Sequence, residues 1–365
     1  MDAKRNTGLD LLRIVSMLMI VTLHALTHGG VLSAAATPLN AVYGWTCEAF
    51  AFVAVNCYVL ISGYFLIRSQ FRLQRLLRLW IQVLFYSIAL YLIAVLCGAE
   101  SFSAVRTVKF LLPTLMRKYW FFTAYVALML LSPFLNRLLL SLSQKRFRLL
   151  LAVMLGLFCV WPNLLAFSDL LPFGDGYGVG WFVTLYCIAA YIRLYPIEVR
   201  RSVCLAAYIG CSLVTAAEHF LYLRFLDGTG VASAFGEAAS HLPTLFYAYN
   251  SVTVLASSVA LFLLFRSVTV PSARVQKAAA RISSLTFGVY LIHDHESVRK
   301  WLWGALHLSD YADSARIVWL LPAVCLAVFA ACLLIERLRQ LLFHPLEHAA
   351  FWKKPDERLR KYTEE

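Results

Sequence analysis

The chain has 365 residues, of which 61% are hydrophobic and only 15% are charged, and its formal net charge is +13. Soluble domains usually contain about 25% charged and about 45–50% apolar residues. The composition therefore excludes an ordinary soluble domain and indicates an integral membrane protein.

Apolar segments of membrane-spanning length follow one another along the whole chain. Because a transmembrane helix needs about 20 mostly apolar residues, we predict an all-α polytopic membrane protein with about ten transmembrane helices. The predicted segments are 9–27, 45–67, 76–97, 119–139, 148–167, 179–195, 202–223, 242–265, 282–303 and 316–336. We expect one membrane domain over residues 1–340 and a charged tail over 341–365.

The positive charge is unevenly distributed between the two sides of the predicted bundle. If the N-terminus is cytoplasmic, 24 of the 33 Lys and Arg residues fall on the cytoplasmic side. The positive-inside rule then predicts that both termini are cytoplasmic. Because the basic residues follow the topology, we expect no nucleic-acid partner. The nine cysteines are scattered and form no CxxC pair, so we predict no metal site.

The first apolar segment contains two polar side chains, Arg13 and His24. Eleven residues of α-helix turn to within about 20° of the starting direction and rise about 16 Å. The two side chains therefore share one stripe of the helix, with the cation near the inner surface and the imidazole near the outer one. Charged groups within the bilayer usually face the bundle interior, so this stripe indicates a path across the membrane.

Other candidates for chemistry are expected at the outer end of the bundle. Glu48, in the first turn of the second segment, could orient His24 as a general base requires, or could simply reach water. His293 and Asp294 interrupt the ninth segment, where they either act in chemistry or form a solvated helix end. Asn250 opens the eighth segment and could hydrogen-bond a polar ligand or belong to an interfacial belt.

The inner side carries a different set of charges. Asp10 and Arg13 are three residues apart and can pair on one helix face. Arg75 and Arg78 open the third helix, and guanidinium groups match phosphate oxygens well. Topology and contact with anionic lipid explain these arginines equally well. Cations inside and acid–base groups outside would suit transfer of a group from a cytosolic phosphorylated donor, although a transporter also uses intramembrane charges.

At these residues the chain resembles the acyltransferase-3 family of bacterial membrane acyltransferases. The opening GLDLLRIVSMLMIVTLH shows the family's Asp-x-x-Arg and Arg-x10-His patterns. Further similar stretches are VNCYVLISGYFL (55–66), the pair Arg75-x-x-Arg78, YWFFTAYVALMLLSPFLN (119–136), WFVTLYCIAAYIRLY (181–195) and SLTFGVYLIH (284–293). The resemblance covers nearly the whole chain.

The resemblance implies transfer of an acyl group, usually acetyl, from cytosolic acyl-CoA to a hydroxyl of an extracytoplasmic or lipid-linked glycan, and less often to an amine. It implies that His24 is the essential histidine, that Arg13 is its partner, and that Arg75 and Arg78 lie near the CoA. His293 matches a histidine that usually precedes proline, where this chain has Asp294. The alternative functions are a secondary transporter or flippase, or a silent scaffold for polysaccharide assembly.

The complete site prediction has three groups of residues. They are catalytic His24, Arg13, Glu48 and His293; donor-binding Asp10, Arg13, Arg75 and Arg78; and substrate-binding Trp120, Tyr125, Asn250 and Asp294. We expect acyl-CoA as a donor substrate and no tightly bound cofactor. The expected partners are the glycan acceptor and the lipid bilayer of a bacterial cytoplasmic (inner) membrane, and a homo-oligomer is left open.

Overall fold

The computed structural model describes residues 5–164, 174–226, 229 and 243–347. These residues fold into helices and connecting turns and contain no strand, which confirms the all-α prediction. The α-helices are α1 (Thr7–Thr27), α2 (Val31–Ala34), α3 (Pro38–Ala51), α4 (Ala54–Leu66), α5 (Leu73–Leu96), α6 (Ala104–Leu111), α7 (Trp120–Ser141), α8 (Gln144–Leu155), α9 (Trp161–Leu164), α10 (Val179–Leu194), α11 (Arg201–Phe225), α12 (Val252–Arg266), α13 (Ala273–His293), α14 (Glu296–Ala305) and α15 (Ile317–Glu347).

The described helices confirm a polytopic membrane protein. Seven helical segments among them are long and apolar enough to cross a membrane. They are Thr7–Ala34, Pro38–Leu66, Leu73–Leu96, Trp120–Ser141, Gln144–Asn163, Arg201–Phe225 and Ile317–Phe343. The shorter apolar helices α10 and α12 coincide with the sixth and eighth predicted segments. The total of about ten spans stays a prediction.

The second predicted segment, 45–67, is not one regular helix, because α3 ends at Ala51 and α4 begins at Ala54. Glu48 consequently lies in the third turn of α3 rather than in a first turn. The ninth predicted segment, 282–303, was also wrong as a single helix. It divides between α13 and α14, because the side chain of His295 accepts a hydrogen bond from the Ser297 backbone N–H and caps a new helix.

Two further predicted segments differ in detail from regular helices. The fifth segment contains a π-helical turn at Gly156–Val160 before the short α9, and its end at 165–167 lies outside the described residues. The eighth segment becomes helical only at Val252, where the Ser251 side chain caps α12. Asn250 therefore precedes that helix instead of opening it. At the C-terminus, α15 continues to Glu347, past the predicted domain boundary, and 348–365 lie outside the described residues.

Helix α1 lies within the bundle and contacts α3, α4, α12, α13 and α15. Two apolar clusters form the core on either side of it. One is built mainly from α4, α7, α10 and α12, and the other mainly from α1, α5, α13 and α15. Surrounding helices shield the polar residues of α1 from lipid, which is how a membrane protein accommodates such groups.

The α4–α10 pair shows how closely these helices approach. A Cβ atom at Gly63 would lie 2.9 Å from the Cα atom of Tyr186, so this position in α4 requires glycine. Small residues of this kind let helix backbones approach each other within membranes. The contact holds α10 and its aromatic side chains against the core beside α1.

Candidate active site

The predicted outer ends of α1 and α13 bring two imidazole rings together. His24 Nδ1 lies 2.9 Å from His293 Nε2, and His293 Nδ1 lies 2.6 Å from the carbonyl oxygen of Val289. A carbonyl oxygen only accepts, so the proton of a neutral His293 is on Nδ1 and its Nε2 accepts from His24 Nδ1. This chain of hydrogen bonds leaves His24 Nε2 without a proton, in the state that a general base needs.

The position of His293 in α13 determines its hydrogen bonds. It is fully buried, and its bond to Val289 reaches back one turn within α13. The end of α13 therefore faces protein, so His293 and Asp294 do not form a solvated helix end. Whether His293 is catalytic stays a prediction, but its position next to His24 is a feature of the structure.

Asp294 lies beside the histidine pair but is engaged within the protein. One of its carboxylate oxygens is 3.8 Å from His24 Nδ1 and 3.2 Å from Arg299 Nη1. The side chain is buried, and it is not among the residues that line the cavity beside His24. The structure therefore places this predicted substrate-binding residue behind the imidazoles, where its charge is shared with a guanidinium.

A cavity of about 130 Å³ lies next to His24. Five of its lining residues come from α1, namely Met17, Ile20, Leu23, His24 and Thr27. The aromatic part of its wall is formed by Phe52, Tyr58, Trp120, Phe121, Tyr177, Tyr249, Phe287 and Tyr290. The cavity thus follows the stripe predicted from Arg13 and His24. Its lining on α1 extends toward Arg13 only as far as Met17, one helical turn short of it.

Glu48 lines the same cavity without pairing with His24. Its side chain is 5% exposed, and its Oε2 atom has no hydrogen-bond partner among the described residues. The predicted pairing of Glu48 with His24 was wrong in this structure, because His24 bonds to His293 instead. Burial of a carboxyl oxygen without a partner is unfavourable, and a hydrogen bond from a ligand would remove that cost.

Trp120 and Tyr125, both predicted to bind substrate, have different positions. Trp120 lines the cavity, where its ring centroid is 4.4 Å from that of Tyr177 and 5.8 Å from that of Tyr249. Tyr125 lies further along α7, stacks on Phe121 at 5.9 Å, and is not among the lining residues. The aromatic wall therefore includes one of the two predicted residues.

Asn250 is the remaining predicted substrate-binding residue, and it does not reach the cavity. It is 2% exposed, and its Nδ2 atom donates to the carbonyl oxygen of Phe158 at 3.0 Å. This bond satisfies the backbone of the π-helical turn before α9. Asn250 therefore has a structural contact in place of the predicted exposure to a ligand.

Comparison with known proteins agrees with this geometry. A family model described as an acyltransferase domain matches residues 6–337, which is nearly the whole chain. The chain belongs to the acyltransferase-3 family. Searches of curated proteins and of solved structures returned no match. The family and the apolar helices together make the protein a membrane-embedded acyltransferase.

The inner end of α1 in this acyltransferase is a network of paired charges. The carboxylate of Asp10 accepts hydrogen bonds from Arg5 at 2.6 Å and from the Ser283 hydroxyl at 3.2 Å. Arg13 Nη1 is 3.6 Å from the same carboxylate, which confirms the predicted Asp10–Arg13 pair. The backbone carbonyl of Arg13 also accepts a hydrogen bond from the Tyr58 hydroxyl at 2.9 Å.

The arginine pair of the acyltransferase lies in the first two turns of α5. Arg72 precedes the helix, Arg75 is exposed, and Arg78 is partly buried. Neither Arg75 nor Arg78 lines the cavity beside His24. Their placement is consistent with a surface for phosphate groups, and their donor-binding role stays a prediction.

Sequence reasoning missed two features of the acyltransferase. Tyr290 lines the cavity one turn before His293, and the i,i+3 spacing inside the YLIH motif was the available signal. Glu336 is completely buried in α15 and accepts hydrogen bonds from Arg339 at 2.9 Å and from Tyr86 at 2.7 Å. A Glu three residues before an Arg at the end of an apolar segment was the signal for that pair.

Proposed function

We propose that this acyltransferase moves an acyl group, in the first instance acetyl, from cytosolic acyl-CoA to a hydroxyl of an extracytoplasmic or lipid-linked glycan. One observation carries the proposal. His24 lines the cavity, and its hydrogen bond to His293 leaves the second ring nitrogen, Nε2, free to accept a proton. The proposal also assigns the acyl-CoA donor to the arginines on one side of His24 and the glycan acceptor to the cavity on the other.

In the proposed reaction His24 is the general base. It takes the proton of the acceptor hydroxyl as that oxygen attacks the thioester carbon, and it returns the proton to the leaving CoA sulfur. His293 keeps His24 in the required tautomer, because its own Nδ1 proton is held by the carbonyl of Val289. This is the logic of a base oriented by a third group. Transient acylation of His24 would use the same nitrogen, and we propose direct transfer.

The donor would reach His24 from the inner side. The phosphates of CoA would bind the guanidinium groups of exposed Arg75 and partly buried Arg78, since guanidinium groups match phosphate oxygens. The flexible thiol arm would then pass Arg13 and enter the cavity between Met17 and Tyr58, where its lining begins. In this proposal Asp10 orients Arg13 through their ion pair.

The acceptor would occupy the outer part of the cavity. Glu48 Oε2 would accept a hydrogen bond from a second hydroxyl of the acceptor, because no described residue satisfies this oxygen. The rings of Trp120 and Tyr249 offer apolar faces for a sugar ring. The proposed setting is a bacterial cytoplasmic membrane with acyl-CoA and glycan on opposite sides, and it involves no tightly bound cofactor.

The replacement His24→Gln tests the proposed function. Detergent-solubilised protein, acetyl-CoA and cell-envelope glycans would be incubated without any membrane gradient, and release of the CoA thiol and formation of acyl esters would be measured. We expect His24→Gln to lower the transfer rate by about 10²- to 10⁴-fold, the usual range for loss of a general base. Mass spectrometry of the esterified glycans would identify the acceptor.

His28→Gln is the matched control for this experiment. His28 is one turn further along the chain, its ring centroid is 5.2 Å from that of His24, and it is exposed and outside the cavity lining. We expect this variant to transfer nearly as fast as the wild type. Equal rates in both variants would contradict the role of His24, and absence of any ester from the wild type would favour the transporter alternative.

A further inference from the structure

One hydroxyl group in the cavity wall, that of Tyr290, has no role in the proposed reaction. Tyr290 is 5% exposed and lines the cavity, and its hydroxyl oxygen is buried without a hydrogen-bond partner among the described residues. The backbone of Phe121 lies nearby, but outside hydrogen-bond geometry. A buried hydroxyl without a partner is destabilising, so its presence beside a reactive group points to a ligand.

Two other hydroxyl groups of the cavity wall are already engaged. Tyr58 donates to the carbonyl oxygen of Arg13 at 2.9 Å, and Thr27 donates to that of Leu23 at 2.7 Å. No Lys or Arg is among the described lining residues. The Tyr290 hydroxyl is therefore a buried donor of this wall that no described residue engages.

The position of Tyr290 links this donor to the base. Tyr290 and His293 are three residues apart on α13, so they lie on the same side of the helix about 4.5 Å apart along its axis. His293 bonds to His24 from that side. A thioester carbon placed for attack by a hydroxyl bound to His24 would have its carbonyl oxygen near this part of the wall. Acyl transfer needs a hydrogen-bond donor at that oxygen.

We propose that Tyr290 is the oxyanion donor of the acyl transfer, and this inference rests on the proposed function. The acceptor oxygen forms its bond to the thioester carbon while its proton moves to His24 Nε2. The π electrons of the carbonyl move to its oxygen, and the Tyr290 O–H donates a hydrogen bond to that negative charge. When the carbonyl reforms, the carbon–sulfur bond breaks and the CoA sulfur takes the proton back from His24.

The test removes the hydroxyl oxygen from each of two neighbouring tyrosines in separate variants. Tyr290→Phe removes a hydroxyl without a partner, so we expect its melting temperature to equal or exceed that of the wild type. Its kcat for acetyl transfer should fall about 10²-fold, the usual cost of removing one oxyanion donor. Its Kd for acetyl-CoA should stay unchanged, because the donor acts in the transition state.

Tyr119→Phe is the matched control. Tyr119 packs against Tyr290 with ring centroids 5.7 Å apart, is buried, and does not line the cavity. Its hydroxyl donates to the Leu291 carbonyl of the same helix at 2.9 Å. We expect Tyr119→Phe to lower the melting temperature, because it leaves that carbonyl without its donor, and to keep kcat close to the wild-type value.

Three outcomes decide between the alternatives. A Tyr290→Phe variant with kcat within about twofold of the wild type would overturn the inference, since loss of an oxyanion donor normally costs far more. A melting temperature lowered as much as in Tyr119→Phe, together with lower kcat, would show a structural role and would also overturn it. If the wild-type protein itself forms no acyl ester, the proposed function fails, and that failure is visible before either variant is made.

Discussion

Polar groups near the two ends of helix α1 differ in whether they have hydrogen-bond partners within the described protein. At the inner end, Asp10 is surrounded by donors, including Arg5 and Ser283, and Arg13 lies beside it. At the outer end, Glu48 Oε2 and the Tyr290 hydroxyl are buried without partners among the described residues. Both ends lie in the same bundle, so a general excess of polar residues in the bundle does not explain why only one end has unpartnered groups.

The contrast distinguishes charges that stabilise the bundle from groups that await a ligand. A buried polar group is tolerated when it is hydrogen-bonded and is costly when it is not. The inner network satisfies this requirement within the protein. In our proposal the outer groups satisfy it when an acceptor or a reacting carbonyl occupies the cavity, which is why we assign chemistry to the outer end.

The largest effect among the remaining variants should come from Glu48→Gln. Loss of one hydrogen bond to a charged group typically costs about 1.5–3 kcal/mol. We therefore expect the KM for the glycan acceptor to rise roughly 10- to 100-fold, while the Kd for acetyl-CoA changes little. Steady-state kinetics at varied acceptor concentration would measure the first value, and equilibrium binding of acetyl-CoA the second.

The control for this variant is the rate at high acceptor concentration. If Glu48 binds the acceptor, excess acceptor restores most of the rate of Glu48→Gln. If kcat falls instead and KM stays constant, Glu48 acts on the reacting atoms, and our assignment of Glu48 to acceptor binding is wrong.

A smaller effect is expected at the inner surface. Replacing Arg75 and Arg78 together by Gln should weaken acetyl-CoA binding by about 5- to 10-fold, because an exposed ion pair contributes only about 0.2–1 kcal/mol. The difference from the wild type should shrink at high salt, since exposed charges are screened. Arg274→Gln is the matched control, because Arg274 is also exposed and on the predicted inner side. Equal weakening of acetyl-CoA binding in the control would show that general surface charge causes the effect, and would contradict a specific phosphate site at Arg75 and Arg78.

The smallest effect concerns stability at the break between α13 and α14. His295 Nδ1 accepts from the Ser297 N–H, so its Nε2 carries the proton and donates to the Ser87 carbonyl at 3.1 Å. Burial lowers the pKa of His295 from 6.5 to about 4. Between these two values the unfolded chain binds a proton that the folded protein excludes. Stability should therefore be fully present above about pH 6.5 and decrease as the pH falls toward 4.

The variant His295→Asn tests this pH dependence. Asparagine can still cap α14, but it does not titrate. We expect the loss of stability between about pH 7 and pH 5 to be smaller than in the wild type by about 2 kcal/mol, measured by thermal unfolding in one detergent. Parallel curves for the two proteins would contradict the neutral state of His295.

Local sequence patterns predicted much of the framework. The apolar segments indicated an all-α membrane protein, and the motifs identified the acyltransferase-3 family, which the match to residues 6–337 confirms. The three-residue spacing of Asp10 and Arg13 predicted their pairing, because helix geometry alone places such residues side by side. The eleven-residue spacing of Arg13 and His24 likewise indicated the face of α1 along which the cavity lies.

The partners of the reactive groups could not be predicted in this way. His24 and His293 are 269 positions apart in the chain, and their contact depends on how α1 packs against α13. Glu48 was expected to pair with His24 because both were placed at the outer end of adjacent helices. Depth in the membrane specifies a height along the bundle axis, but it does not specify which side of each helix faces the other.

The sequence by itself determined the helical class, the family, the paired charges within α1 and the stripe that carries His24. Each of these follows from composition, from short motifs or from the 3.6-residue period of a helix. Only the tertiary structure decided which imidazole orients His24 and that Asp294 lies behind it. It also decided that Glu48 Oε2 and the Tyr290 hydroxyl have no partner among the described residues. Those features depend on contacts between helices distant in the chain, and a helical period contains no information about which distant faces meet.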